Sequence, residues 1–203
     1  MTFKELKSKR INKTRKLLIN VKEIIDEYAE EIAKLNIKIL KVENPDWAMF
    51  IDNYLDIIYN SLEDVYSITL EKIREIYNIE ILNEELIERD INKLTYSKDG
   101  LTLKQRIIKH CEEYEKEKPT KERLLYDIVK ILNTEALCVM NNLISNKVKF
   151  EYAAIDNDEE CCKLCLDYAD EEYIPIDDFE EPPYHPNCEC IAVYFTSKEI
   201  ELK

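Results

Sequence analysis

Apolar residues recur at helical spacing through most of the first 147 positions. Leu17, Val21, Ile24, Ile25, Tyr28, Ile32 and Leu35 follow one another at three- and four-residue steps with Lys and Glu between them. That stripe predicts a long amphipathic helix. Asn44-Pro45-Asp46 reads as an N-cap followed by proline at the first helical position. A second long helix follows, carrying Phe50, Tyr54, Leu55, Ile58, Leu62, Val65 and Tyr66 on its apolar face and continuing through Ile73 and Tyr77. Residues 80–96 predict a third helix. Ser97-Lys98-Asp99-Gly100 is the clearest break, and Thr102-Leu103-Lys104-Gln105 has the capping-box pattern that opens another helix. A further helix is expected near Thr120, after Pro119, with Leu124, Ile128, Leu132, Ala136, Val139 and Leu143 along one face. Such stripes are explained as helix-packing core and imply no cofactor.

The period changes after Asn146. Lys147-Val148-Lys149-Phe150-Glu151-Tyr152 alternates like a strand, and so does Ile191-Ala192-Val193-Tyr194-Phe195. The predicted fold is therefore mainly α: a long-helix N-terminal body, then a small C-terminal α+β unit stapled by cysteine and histidine. The expected division is 1–96, an extended helical region for docking or assembly, and 97–203, with a Cys/His knot at 158–195. The chain has a single glycine, Gly100, among 203 residues. That scarcity leaves no glycine-rich phosphate loop, dinucleotide fingerprint or nucleophile elbow, and it disfavours hairpins.

Charge is unevenly spread over a net −14. Lys4, Lys7, Lys9, Arg10, Lys13, Arg15 and Lys16 face only Glu5 in the first eighteen residues, whereas residues 151–190 carry fourteen carboxylates against Lys163. The basic segment could form a nucleic-acid arm and the acidic one could meet a basic protein surface; the alternative is that both are solvated faces. Met1-Thr2-Phe3-Lys4 leads into charge instead of an apolar signal region, and no run is long enough for a membrane span. A reducing cytosol is the expected setting, in which clustered cysteines bind metal or do redox chemistry more often than they form disulfides.

Five of the seven cysteines lie between positions 161 and 190. Cys162-Lys163-Leu164-Cys165 presents two thiols at the spacing that suits one zinc ion, and His185, Cys188 and Cys190 follow. Five candidates thus compete for four tetrahedral positions. If the chain from Cys188 to Cys190 is extended, both side chains share one face and could converge. The competing possibilities are a reduced thiol cluster that packs as core, or disulfides formed outside the cell. Cys161 reads as a bystander, Cys111 and Cys138 as core residues, and His110 has no partner within reach by sequence. Catalysis is not expected. A redox Cys-x-x-C needs a βαβ setting that is missing, and the three-position step from His185 to Cys188 suits co-ligation better than a nucleophile–base pair.

In order, these residues resemble the phage Mu F-type head morphogenesis domain found in minor head proteins of tailed phages and prophages. The resemblance covers about residues 97–196. Its elements are Thr134-Glu135 on the last long helix, Tyr152 ending a strand, and Asp158-Glu159-Glu160-Cys161-Cys162-Lys163-Leu164-Cys165. Tyr173 after the loop and Pro183-Tyr184-His185-Pro186-Asn187-Cys188-Glu189-Cys190 complete it. Gly100-Leu101-Thr102 resembles the usual entry to the domain. Asn133 stands where the family usually has arginine, Asp170 where glycine is common, and Glu189 replaces a basic residue. The resemblance implies a structural, non-enzymatic minor capsid protein, associated with portal or capsid proteins and with packaged DNA as a further candidate partner. It would sit in the virion, with assembly in the host cytoplasm and no membrane or small-molecule substrate. A structural zinc would staple the small domain, with long N-terminal helices docking on a head component. The alternative function is a zinc-stapled nucleic-acid-binding or regulatory module that uses the basic N-terminal segment.

Overall fold

A computed structural model describes residues 1–78, 91–145, 150–156, 165, 172–185, 188 and 190–202. Among these, α1 spans Phe3–Leu40, α2 Trp47–Tyr77, α3 Ile91–Leu94, α4 Leu103–Lys116 and α5 Lys121–Ser145. Strands β1 (Tyr152–Asp156), β2 (Ile174–Pro175) and β3 (Ile191–Phe195) follow, and α6 (Ser197–Ile200) closes the chain. The fold is mainly α with a small antiparallel sheet in the order β2-β1-β3.

The helical stripes become one core. Leu17, Val21, Ile25 and Ile32 of α1 pack with Phe50, Tyr54, Ile58 and Leu62 of α2 and with Leu124, Ile128, Leu132 and Val139 of α5. Ile24, Tyr28 and Tyr66 flank that core half-buried. Burying such side chains contributes about 1.5–3 kcal/mol each, so the three long helices hold one another in place. The same core takes in Phe150, Ala153 and Tyr194. This core thus draws on residues from both sides of the expected division at 96/97.

Local signals hold at most helix starts. Gln105 N–H donates to Thr102 Oγ1 at 3.2 Å and Thr102 N–H to Gln105 Oε1 at 2.8 Å, which completes the capping box of α4. Gly100 adopts φ 71°, the left-handed geometry that glycine tolerates, where the chain turns into α4. The α2 cap differs from expectation. Asp46, not Asn44, receives the amides of Ala48 (3.1 Å) and Met49 (3.3 Å), and Pro45 precedes the helix. Asp46 stands directly before Trp47, so its carboxylate reaches two amides that the first turn leaves unpaired, and it takes the cap from Asn44. Of the helix expected over 80–96, Ile91–Leu94 is observed and 79–90 lie outside the described residues.

Tyr152 opens β1 instead of ending a strand. Register with β3 runs from Tyr152↔Phe195 to Asp156↔Ile191, so pairing extends toward the knot; residues 146–149 lie outside the described set. The sheet is buried on both faces. Ala153, Ala192 and Tyr194 join the main core, while Ala154, Val193 and Phe195 pack under Phe3 and Leu6 of α1.

The first turns of α1 therefore belong to the C-terminal unit. Phe3 N–H donates to Leu202 O at 3.1 Å. Arg10 is 4% exposed and donates to Tyr194 O at 2.7 Å and to both Glu199 carboxylate oxygens at 3.0 and 2.5 Å. Its guanidinium also lies 4.9 Å from the Tyr77 ring centroid and 5.0 Å from that of Phe195. Burial pushes the Glu199 carboxyl up, but Arg10 and Thr196 outweigh it and hold the group below its ordinary value. Arg10→Ala should cost about 2–4 kcal/mol, because it strands a carboxylate and a buried carbonyl. Exposed Lys9→Ala should stay within about 0.5 kcal/mol. Urea unfolding curves of the two variants test this contrast.

Candidate metal centre and the buried carboxylate beside it

The knot forms where β1 leaves the sheet and β3 enters it. Ile155 of β1, Cys165, Cys188 and Cys190 form a buried cluster, with Phe179 and Tyr184 packed against it. Cys190 immediately precedes β3, so the strand's register fixes its position. Cys188 N–H donates to His185 O at 3.0 Å, which holds the two residues close together.

Cys165 Sγ lies 3.6 Å from Cys188 Sγ and 3.3 Å from His185 Nε2. The thiols of Cys165, Cys188 and Cys190 lie within 4.8 Å of one another, all buried. Tetrahedral zinc–sulfur bonds of about 2.3 Å put neighbouring sulfurs about 3.8 Å apart, close to the separation of Cys165 and Cys188. The Cys188 thiol is held below its ordinary range, chiefly by hydrogen bonding from Cys190, with help from the backbone at Tyr184 and Cys190 and from Cys165, against burial. A site that already favours thiolate suits a cation. Three buried soft sulfurs therefore fit a metal ion, and the His185 imidazole stands beside Cys165 as a further donor.

The structure brings together Cys165, Cys188 and Cys190, with His185 in reach of Cys165. Cys161, Cys162, Asp158, Pro186, Asn187 and Glu189 lie outside the described residues. Cys111 and Cys138 are buried core residues as expected, and burial pushes both thiols up to about 12.

Thr134 and Glu135 do not point into the knot. Thr134 Oγ1 donates to Lys130 O at 2.9 Å within its own helix. Glu135 is fully buried, and its Oε2 accepts Tyr96 N–H at 2.8 Å. Arg106 pairs with its Oε1 and also donates to Asp99 Oδ1 at 2.9 Å and Leu101 O at 2.8 Å. The cation facing Glu135 thus comes from α4 and not from position 133. Burial pushes the Glu135 carboxyl up to about 7, against the pull of Arg106 and the Tyr96 amide. This group ties α5 to the turn between α3 and α4. The next residues of that turn hold the knot's loop: Lys98 Nζ donates to Glu180 Oε1 at 3.0 Å and Glu181 O at 2.7 Å. It also lies 4.9 Å from the Tyr184 ring centroid.

Two further placements depart from expectation. The basic segment is no free arm: Arg10 is buried, Lys7 Nζ donates to Glu172 O at 2.5 Å, Lys13 donates to Glu75 O, and Arg15 Nε pairs with Asp156 Oδ2 at 2.5 Å. Lys4, Lys9 and Lys16 remain exposed on α1. His110, for which sequence offered no partner, stacks on Tyr114 with ring centroids 6.2 Å apart, and its Nδ1 lies 3.7 Å from Asp127 Oδ2. The signal was hidden because Asp127 belongs to the next helix.

Fold and site together define a mainly α protein whose small C-terminal sheet carries a buried cysteine cluster able to hold a metal ion. No helix among the described residues is long and apolar enough to cross a membrane. Compared with known proteins, the chain matches no family model, no curated protein and no solved structure.

Proposed function

We propose that this chain is a structural minor head protein of a tailed phage or prophage, with a zinc ion stapling its C-terminal unit. The supporting observation is the gathering of Cys165, Cys188 and Cys190, with His185 3.3 Å from Cys165. These are the residues that carry the most specific part of the resemblance to head morphogenesis domains. In this reading the knot has no catalytic role. Its ligands are buried under Phe179 and Tyr184 and are tied through Lys98 to the helical body, as suits a staple. The long helices present the surfaces that meet portal or capsid proteins.

The nucleic-acid-binding alternative has less support, because four of its seven basic residues are engaged within the chain. Mass spectrometry of nuclease-treated, gradient-purified particles from the source strain tests the proposal. Sedimentation with portal protein at a few copies per head is expected. Absence from both proheads and finished particles would overturn it and favour the alternative.

A further inference from the structure

An open groove of about 600 Å³ lies between α1 and α5. Its floor is apolar, with Ile25 and Ala29 from α1 and Leu125 and Val129 from α5, and Tyr126 stands beside them 58% exposed. Ile19, 56% exposed, begins a 19-22-26-29 row on α1 that leads into the groove. Two lysines, Lys22 and Lys130, and two carboxylates, Asp26 and Glu122, line its rim.

The rim charges are ordered. The end of α1 (Ile39, Leu40) lies beside Tyr114 and Pro119, just before α5 begins, so α1 and α5 run in opposite directions. On α1 Lys22 precedes Asp26, and on α5 Lys130 follows Glu122. Both helices therefore present their lysine toward one end of the groove and their carboxylate toward the other. A two-fold axis perpendicular to the groove would set each cationic end over an anionic one.

We infer that this groove is the contact surface for a second copy of the same chain, forming a symmetric dimer with α1 and α5 packed against their counterparts. The charge balance selects this occupant. Copies carrying −14 each repel, so they can approach closely only on a face whose own charges cancel, and the four rim charges do. Self-complementarity under one two-fold axis is what an isologous interface requires. The second copy covers Tyr126 and Ile19 and brings Lys130 opposite the other copy's Glu122. This inference is independent of the metal site and of the head-protein reading.

Sedimentation velocity of the full-length protein across a concentration series tests it. The wild type is expected to pass from monomer to dimer as concentration rises. Tyr126→Glu should raise the dimer dissociation constant at least about tenfold, because it buries an unpaired charge at the centre of the contact. Glu122→Lys should weaken the dimer as well, and adding Lys130→Glu should restore it by reversing both partners. These side chains lie outside the helical core, so an unchanged far-UV circular dichroism spectrum confirms that the fold is intact. A wild type that stays monomeric throughout would overturn the inference. So would a dimer indifferent to Tyr126→Glu, or a charge swap that fails to rescue.

Discussion

Cys165→Ser is expected to lower stability by about 4 kcal/mol and to abolish the stabilising effect of zinc. Structural zinc sites contribute their binding free energy to folding, because the unfolded chain holds no preformed site. Under the zinc-staple proposal, removing one ligand forfeits most of that contribution. For a chain of this size, about 4 kcal/mol corresponds to a melting temperature lower by on the order of 10 °C. The control is Cys111→Ser, a buried thiol in the helical core. It should destabilise through packing alone and leave the response to chelator intact. Thermal melts of both variants, with and without EDTA, separate the staple from a merely buried thiol cluster. If Cys165 only packs, chelator will not move the wild-type melt and the two serine variants will behave alike. Under the head-protein proposal, the Cys165→Ser protein should also fail to enter particles, which would link the stability effect to assembly.

The helical part of the fold was legible because each helix carries its own burial pattern. Leu17 to Leu35 and Phe50 to Tyr66 repeat at helical steps, and the observed core uses those positions. Capping was legible where side chain and amide are three residues apart, as at Thr102 and Gln105. Sequence could not show contacts that close long loops. Arg10 lies in a basic run and looks like surface charge, yet its partner Glu199 is 189 residues away. A buried arginine has no local signature; only the fold decides which cation of such a run turns inward. The same limit applied to Arg106, which supplies the cation beside Glu135 from a different helix. In the knot, spacing offered five candidates and could not choose among them. Among the described residues the fold gathers Cys165, Cys188 and Cys190, with His185 3.3 Å from Cys165, while Cys162 lies outside that set.

Glu135 is where the second large effect is expected. Replacing it with alanine should cost about 3–5 kcal/mol, because Arg106 and the Tyr96 amide lose their buried partner. Glu135→Gln keeps an acceptor for Tyr96 N–H and should cost less. The pH dependence distinguishes the two roles of this carboxyl. Its value in the folded protein is raised from 4.5 to about 7, so over that interval the folded state holds a proton that the unfolded state has released. Stability from this group is therefore full below about 4.5 and is lost as pH rises through about 7, a loss of at most about 3 kcal/mol. Arg106, Asp99 and Tyr96 are the titratable groups that face it. Unfolding free energies of wild type and Glu135→Gln, measured between pH 4.5 and 7.5, should converge as pH rises. The wild-type advantage would then be largest at the acidic end. A difference that stays constant, or grows toward neutral pH, would mean that Glu135 is held as a carboxylate by Arg106 throughout. The turn that carries Tyr96 and Lys98 would in that case depend on an ion pair, whose contribution is kept at neutral pH and lost as pH falls through the carboxyl's folded value.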